Sequence, residues 1–148
     1  MADFYLDIAN SGLGKKLFSA LGLPEPVALM RENTQTPHRL SGRVLLGSGD
    51  QGYFVDNIAD LLKGSGVEVA NDPVAGAGHL IFDASGISTA AESTQLYAFF
   101  HQHIKSLPTC GRVVVVGCDP SSIASADHAA LQRGLYGFVK SLAKEIGR

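Results

Sequence analysis

A glycine-rich segment carries the first spacing in this sequence that could do chemistry. Gly47, Gly49 and Gly52 match the pattern G-x-G-x-x-G, which lets a backbone turn tightly and approach a pyrophosphate at a helix N-terminus. Asp72 lies twenty residues after Gly52, where an acid could hold a ribose. These four residues predict a dinucleotide site. The alternative is a glycine-rich turn that binds nothing, which Asp50 favours because its charge would lie beside a phosphate.

A second pattern of chemical interest lies near the C-terminus. Tyr136 and Lys140 match Y-x-x-x-K, in which the lysine charge makes the phenol a better general acid toward a carbonyl. The alternative is that both residues lie on the flank of an amphipathic helix, where this spacing arises often.

The histidines and cysteines do not predict a metal site. His101 and His103 are two residues apart on a predicted helix and do not face each other, and no cluster has ligand spacing. Cys110 and Cys118 flank one apolar run, which as a strand would separate them by about 20 Å. We therefore expect free thiols, as in the cytoplasm.

The order of apolar segments indicates the elements that must position these residues. Strands are predicted at 44–46, 67–70, 79–82 and 112–116, and helices at 53–63, 89–107 and 127–146. Thr89 and Glu92 have capping-box spacing, and Asp127 is the predicted cap of the last helix. That helix is expected to bury Leu131, Leu135, Phe138, Leu142 and Ile146.

This alternation predicts an α/β domain with a small parallel sheet and helices on both faces. Only eight residues separate the second and third strands, too few for the usual crossover helix. An N-terminal arm precedes the domain, with Leu13, Leu17 and Leu21 at helical spacing before Gly22. We predict an arm and linker over 1–42 and the α/β domain over 43–148.

Composition and charge argue against several other classes of protein. The chain has 148 residues, 45% hydrophobic and 18% charged, with 12 basic and 14 acidic residues. This composition is typical of a folded domain rather than a disordered chain. The sequence has no basic stripe of the kind that indicates nucleic-acid binding. It also has no window of the roughly 18–20 apolar residues that span a bilayer. The N-terminal residues do not form a secretory signal.

The segment 135–147, LYGFVKSLAKEIG, resembles the helix that follows the active site of short-chain dehydrogenase/reductases, whose pattern is close to G-F-x-x-S-L-A-K-E. The segments 44–49, 82–87 and 111–116 resemble, in the same order, that family's glycine loop, N-N-A-G strand end and catalytic-serine strand. With the arm 1–27, the chain resembles the N-terminal domain of high-molecular-weight 3-oxoacyl-[acyl-carrier-protein] reductases. The resemblance implies a Rossmann-related, flavodoxin-like three-layer domain before a C-terminal ketoreductase domain.

The resemblance also implies where catalytic groups would lie, and the sequence departs from it there. Aligned on the G-F pair, His128 stands at the family's tyrosine, Gln132 at its lysine and Gly117–Cys118 near its serine. Asp83 and Ala84 stand at the positions of the two asparagines in the family's N-N-A-G pattern. Tyr136 is therefore out of register. Gln132 cannot supply the positive charge that the reaction needs, so we predict no catalytic residue here.

Two functions follow from this reading. The first is a non-catalytic domain that packs against the ketoreductase domain or a second subunit, with Phe4, Tyr5, Leu6 and Leu23 as candidate contacts and a homo-oligomer as the expected assembly. The parent protein would use NADH or NADPH to reduce 3-oxoacyl thioesters in fatty acid biosynthesis, and this chain is expected to end before that second domain. The alternative is NAD(H) binding at Gly47–Gly52. A flavin site is disfavoured because no Trp is present.

Overall fold

The computed structural model describes residues 4–23, 40, 42–70 and 77–147. The chain divides into two compact units, Met1–His38 and Arg39–Arg148. The predicted linker at 24–42 lies mostly outside the described residues, as does Asp72. The side chains of Phe4, Tyr5 and Leu6 also lie outside them.

The first unit contains two short helices, α1 at Phe4–Ala9 and α2 at Gly12–Ala20. Ser11 caps α2, since its Oγ accepts from Gly14 N at 3.1 Å. Gly22 has φ +64, a left-handed conformation that favours glycine, and α2 ends just before it as predicted. Leu13 and Leu17 are 86% and 59% exposed, so the described part of this unit presents an apolar face.

The second unit contains the four-stranded parallel sheet that the sequence predicts. Its strands are β1 at Val44–Ser48, β2 at Val69–Ala70, β3 at His79–Asp83 and β4 at Arg112–Val116. They lie in the order β2-β1-β3-β4, and every pair is parallel. Only the second strand is much shorter than predicted, because just Val69 and Ala70 pair with β1.

Three helices complete this α/β unit: α3 at Val55–Gly64, α4 at Ser93–His103 and α5 at Ala126–Ile146. A 3₁₀ turn at Ile104–Ser106 follows α4 and another at Pro120–Ser122 precedes α5. The capping box predicted before α4 is present, since Thr89 N donates to Glu92 Oε2 at 3.1 Å and Glu92 N donates to Thr89 Oγ1 at 3.3 Å. Residues 90–92 form a turn, so α4 begins at Ser93 rather than at 89.

The helices cover both faces of the sheet, which makes three layers. On one face Leu62 of α3 packs with Val44 and Ile81. On the other face, α4 and α5 pack against the larger cluster around Phe82, which includes ring contacts of 5.0 Å from Phe82 to Phe99 and 6.2 Å to Phe100. The fold class is therefore α/β with a small parallel sheet, as the sequence predicts.

One prediction about α5, its cap, is wrong, and its predicted apolar face is confirmed in part, since Leu135, Phe138 and Leu142 pack against the core cluster. Its cap is Ser125, whose Oγ accepts from His128 N at 3.4 Å, whereas Asp127 lies in the first turn. Its buried side chain is Gln132, at 1% exposure. The apolar residues expected inside are half-buried, apart from Ile146 at 43% exposure. They are Leu131, Leu135, Phe138 and Leu142.

Cys110 and Cys118 are not joined by a disulfide, in agreement with their predicted separation at opposite ends of β4. No described helix combines the length and apolar character needed to cross a membrane.

Candidate functional site

The carboxyl ends of β1, β3 and β4 place three loops beside one another. The sheet register pairs Ser48 with Asp83 and Asp83 with Val116, so these strands end at the same level. In open parallel sheets, ligands bind in the crevice beyond these ends. The predicted glycine loop and the positions aligned with catalytic residues both fall at this edge.

Between β1 and α3, the glycine loop uses its own amide groups internally. A phosphate would need free N–H groups at this helix start, but five of them already donate to the chain. These bonds run from Gly49 N to Asp83 O, Asp50 N to Gln95 Oε1, Gly52 N to Gly49 O, Tyr53 N to Ser85 Oγ and Phe54 N to Asp83 Oδ2.

Asp83 supplies the negative charge at this position. Its side chain is fully buried, and its Oδ2 accepts from Phe54 N at 2.7 Å. Its Oδ1 accepts from Ser85 N at 3.0 Å and from Ser85 Oγ at 2.6 Å. The partial positive charge at a helix N-terminus favours an anion. Here that anion is a carboxylate of the protein.

The remaining space at the loop is small and acidic. A cavity of about 70 Å³ is lined by Asp50, Glu92 and neighbouring residues, whereas ligand pockets usually enclose roughly 300–1,000 Å³. Gln95 closes it further, since its Nε2 donates to Asp50 Oδ2 at 2.6 Å. Hydrogen bonds from Ser88 N–H, and then from the Ser88 hydroxyl and Thr89, lower the pKa of Glu92 against a smaller opposing effect of burial.

The predicted glycines have packing roles in this structure. A Cβ on Gly52 would lie 2.8 Å from Asp83 Oδ2, and a Cβ on Gly47 would lie 2.5 Å from a Phe99 ring carbon. Gly49 is buried and its N–H donates to Asp83 O at 3.0 Å. The structure thus brings the three glycines together around Asp83 and Phe99, while Asp72 lies outside the described residues.

The positions aligned with the reductase catalytic set also converge, at the ends of β3 and β4. Cys118 Sγ donates to Ser85 O at 3.6 Å, and His128 Nε2 lies 3.4 Å from the same oxygen. Gln132 Nε2 donates to Ala84 O at 2.8 Å. The polar groups in this cluster therefore hold backbone atoms.

The sequence did not predict that Gln132 is buried and bonds the backbone at the ends of β3 and β4. Its Nε2 also donates to Ile87 O at 3.0 Å, and its Oε1 accepts from Cys118 N at 2.8 Å. A Cβ on Gly117 would lie 2.7 Å from Gln132 Oε1, so the strand end and the amide fit closely. The available signal was its spacing of three residues before Leu135, which places both on one helical face.

The two remaining chemical candidates are the Tyr136–Lys140 pair and the Cys118 thiol. Tyr136 is 64% exposed and Lys140 is also exposed, which confirms their position on the helix flank. Burial, followed by the charge of Asp83, raises the pKa of the Cys118 thiol. A raised pKa disfavours the thiolate that acts as a nucleophile.

The histidines that the structure describes do not gather around a ligand position. His103 is buried with its ring 5.1 Å from that of Phe99, and burial lowers its pKa. His101 is exposed and stacks on Tyr97 at 5.2 Å. Within the described ranges, no three His, Cys, Asp or Glu side chains are grouped as metal ligands.

A larger groove lies along β4, which is the last strand of the described sheet. It encloses about 540 Å³ and its walls come from β4, the loop after it and α5. Val115, Leu135 and Val139 make it largely apolar, with Tyr136 and Lys140 on its outer rim. Among the described residues, no strand lies beside β4 on the side of this groove.

No protein-family model and no curated protein matches this sequence. The fold and the geometry of the strand ends therefore carry the functional argument. The resemblance to 3-oxoacyl-[acyl-carrier-protein] reductases stays a prediction from the residues.

Proposed function

We propose that this chain is a non-catalytic interaction domain of a two-domain 3-oxoacyl-[acyl-carrier-protein] reductase. Its partner is the C-terminal ketoreductase domain, which reduces 3-oxoacyl thioesters with NADH or NADPH in the cytoplasm. The full protein forms a homo-oligomer. This domain holds no cofactor, and its role is packing through the exposed surfaces of the arm and the sheet.

The observation that carries this proposal is the saturation of Gln132. An amide whose two N–H groups donate to Ala84 O and Ile87 O has no remaining donor for a substrate carbonyl, and its oxygen already accepts from Cys118 N. The resemblance puts the catalytic lysine at this position. In this chain the residue there is Gln132, and its amide bonds the backbone at the ends of β3 and β4 instead. The exposed edge of β4 supports an interaction role, since uncovered apolar edges promote association.

The alternative of NAD(H) binding at Gly47, Gly49, Gly52 and Asp72 has less support. Asp83 already bonds the start of α3, and a pyrophosphate would have to displace or repel it. Asp50 and Glu92 add negative charge to a cavity of about 70 Å³.

Association tests the proposal directly. The purified chain is mixed with the separately expressed ketoreductase domain, and complex formation is followed by sedimentation velocity. We expect a stable complex or a dimer of the chain, and Val139→Lys in the exposed groove should weaken it more than Leu61→Lys on α3. A chain that remains monomeric and binds no ketoreductase domain would contradict the proposal.

Cofactor titration separates the two functions. We expect no saturable binding of NADH or NADPH up to millimolar concentration, and no turnover of a 3-oxoacyl thioester by this chain alone. Saturable binding that disappears in Gly49→Val would support the alternative instead, because a side chain at Gly49 would face Gln95 Oε1 at 3.2 Å and fill the loop.

A further inference from the structure

The helical hairpin of the first unit buries its smallest residues and exposes its largest apolar ones. Ala9 of α1 is 1% exposed and Gly14 of α2 is buried. The two helices approach so closely that a Cβ on Gly14 would overlap Ile8 O. A helix that packs against its own chain turns its large apolar side chains inward. The reverse arrangement here indicates that the outer face of α2 is an interaction surface.

Three leucines at intervals of four residues form a row along this outer face. Leu13, Leu17 and Leu21 are 86%, 59% and 63% exposed. The row has its full length because Leu21 keeps a helical backbone as the C-cap of α2, and its N–H donates to Leu17 O at 3.0 Å. Residues four apart lie one above the other on a helix, so the row is continuous and uncharged.

This row is complementary to a second copy of itself. Rows of side chains four residues apart pack beside the same rows of another helix when the two axes cross at about 50°. In an antiparallel pair, a two-fold axis then passes beside Leu17, and Leu13 of each copy lies next to Leu21 of the other. Such a contact is isologous, as in the commonest homodimers.

The charges of α2 favour the antiparallel direction. Lys16 borders the leucine row, since it precedes Leu17 and lies one turn after Leu13. Helix α2 has no basic residue in its last turn, so the partial negative charge of its C-terminal carbonyls has no cation from that turn beside it. Antiparallel packing brings Lys16 of one copy alongside the last turn of the other copy. Parallel packing would instead bring the two Lys16 side chains together.

We propose that the outer face of α2 binds a second copy of this chain, with the two helices antiparallel and the two-fold axis beside Leu17. This inference rests on the proposed function, in which the protein is a homo-oligomer, and it names the surface that joins the copies. The groove beside β4 remains for the ketoreductase domain. One leucine row from each copy is close to the lower limit of about 1,000 Å² for a specific interface, so we expect a reversible dimer.

Cysteine cross-linking in the full chain tests the register of this pairing. Single cysteines are introduced in a Cys110→Ser, Cys118→Ser background, and disulfide-linked dimers are measured on non-reducing gels. Leu17→Cys should cross-link to itself, and a mixture of Leu13→Cys and Leu21→Cys should cross-link to each other. Leu13→Cys alone should not, because its two copies would lie about 11 Å apart along the rows, beyond the roughly 7 Å that a disulfide spans.

Sedimentation equilibrium of the full chain measures the strength of the contact. Leu17→Glu should raise the dissociation constant of the dimer by at least about 30-fold, because two carboxylates would meet at the two-fold axis. The matched control Leu61→Lys also charges an exposed leucine, at 70% exposure on α3, and should leave the constant unchanged. Circular dichroism checks that both variants keep the parent helix content.

Three results would overturn the inference. The first is a parent chain that stays monomeric at several hundred micromolar. The second is equal dimerisation of Leu17→Glu and Leu61→Lys. The third is a cross-link in Leu13→Cys alone that forms as fast as the cross-link in Leu17→Cys, since that would exclude the antiparallel register.

Failure of this inference is distinguishable from failure of the proposed function. If the chain dimerises through Leu17 but the separately expressed ketoreductase domain does not bind, the α2 contact is correct and the two-domain reductase is wrong. If the ketoreductase domain binds a chain that stays monomeric, or a dimer that Leu17→Glu leaves intact, the proposed function holds and the α2 contact is rejected.

Discussion

The buried carboxylate of Asp83 offers the most direct test of the idea that the glycine loop is held by the protein itself. In Asp83→Asn, one of the two oxygens becomes an NH₂ group of nearly the same size. Whichever way the amide turns, that group faces an N–H or O–H donor. The less costly orientation keeps the bonds from Ser85 and opposes the NH₂ group to Phe54 N, which donates over 2.7 Å in the parent chain.

The expected loss of stability follows from these contacts. A hydrogen bond to a charged group contributes about 1.5–3 kcal/mol, and an unsatisfied buried donor costs about 1–3 kcal/mol. The two remaining bonds also weaken when their acceptor becomes neutral. We expect Asp83→Asn to lower the free energy of unfolding by about 3 kcal/mol. In a unit of this size the melting temperature should fall by roughly 10 °C.

Urea unfolding followed by circular dichroism measures this change. The matched control is Asp50→Asn in the same loop, where the exposed side chain can still accept from Gln95 Nε2 and the change should stay within about 0.5 kcal/mol. The denaturant slope should be the same in both variants. If Asp83→Asn unfolds at the same urea concentration as Asp50→Asn, the carboxylate does not hold the loop and our reasoning is refuted.

Other positions give independent tests. Gly134→Ala should stabilise α5 by about 0.5–1 kcal/mol, because a Cβ there meets nothing within 4 Å. Gly52→Ala should destabilise the protein by about 1–3 kcal/mol, because its Cβ would lie 2.8 Å from Asp83 Oδ2. Thermal melts in which Gly52→Ala is the more stable variant would contradict this packing. The lowered pKa of Glu92 contributes stability that is present above its ordinary value of 4.5 and is lost as the pH falls through the lower folded pKa. Glu92→Gln should therefore flatten the acid limb of stability against pH, and an unchanged limb would exclude that contribution. The raised pKa of the Cys118 thiol should make its alkylation at pH 8 slower than that of an unstructured cysteine peptide. The rate is measured in Cys110→Ser, so that Cys118 is the single thiol. An equal rate would argue against burial of the thiol.

Local sequence patterns predicted most of the sheet but were weaker at element ends. The apolar runs at β1, β3 and β4 were sufficient because buried parallel strands are continuous apolar segments. At the start of α5, Ser125 and Asp127 are both good caps by residue type. The structure selects Ser125, whose backbone is extended at φ -79 and ψ 123 and whose Oγ reaches His128 N.

The candidate site could be predicted only in part. The spacing of Gly47, Gly49 and Gly52 located the loop after β1. It did not reveal that the Asp83 carboxylate, 29 residues further along the chain than Phe54, accepts from Phe54 N at the start of α3. Similarly, the pattern of α5 predicted an apolar face, while the most buried side chain is Gln132. Such hydrogen bonds depend on which loops the sheet register brings together, and local periodicity carries no information about that.

The bonding of Gln132 has a consequence for the order in which substitutions could accumulate. A lysine there could still donate to Ala84 O and Ile87 O, but it has no acceptor for Cys118 N. The single variant Gln132→Lys would therefore be a destabilised intermediate in which the half-buried N–H of Cys118 loses its acceptor. Substitutions around this cluster should show strong epistasis, so a laboratory selection for reductase activity in this domain would succeed only when position 132 and the strand end change together.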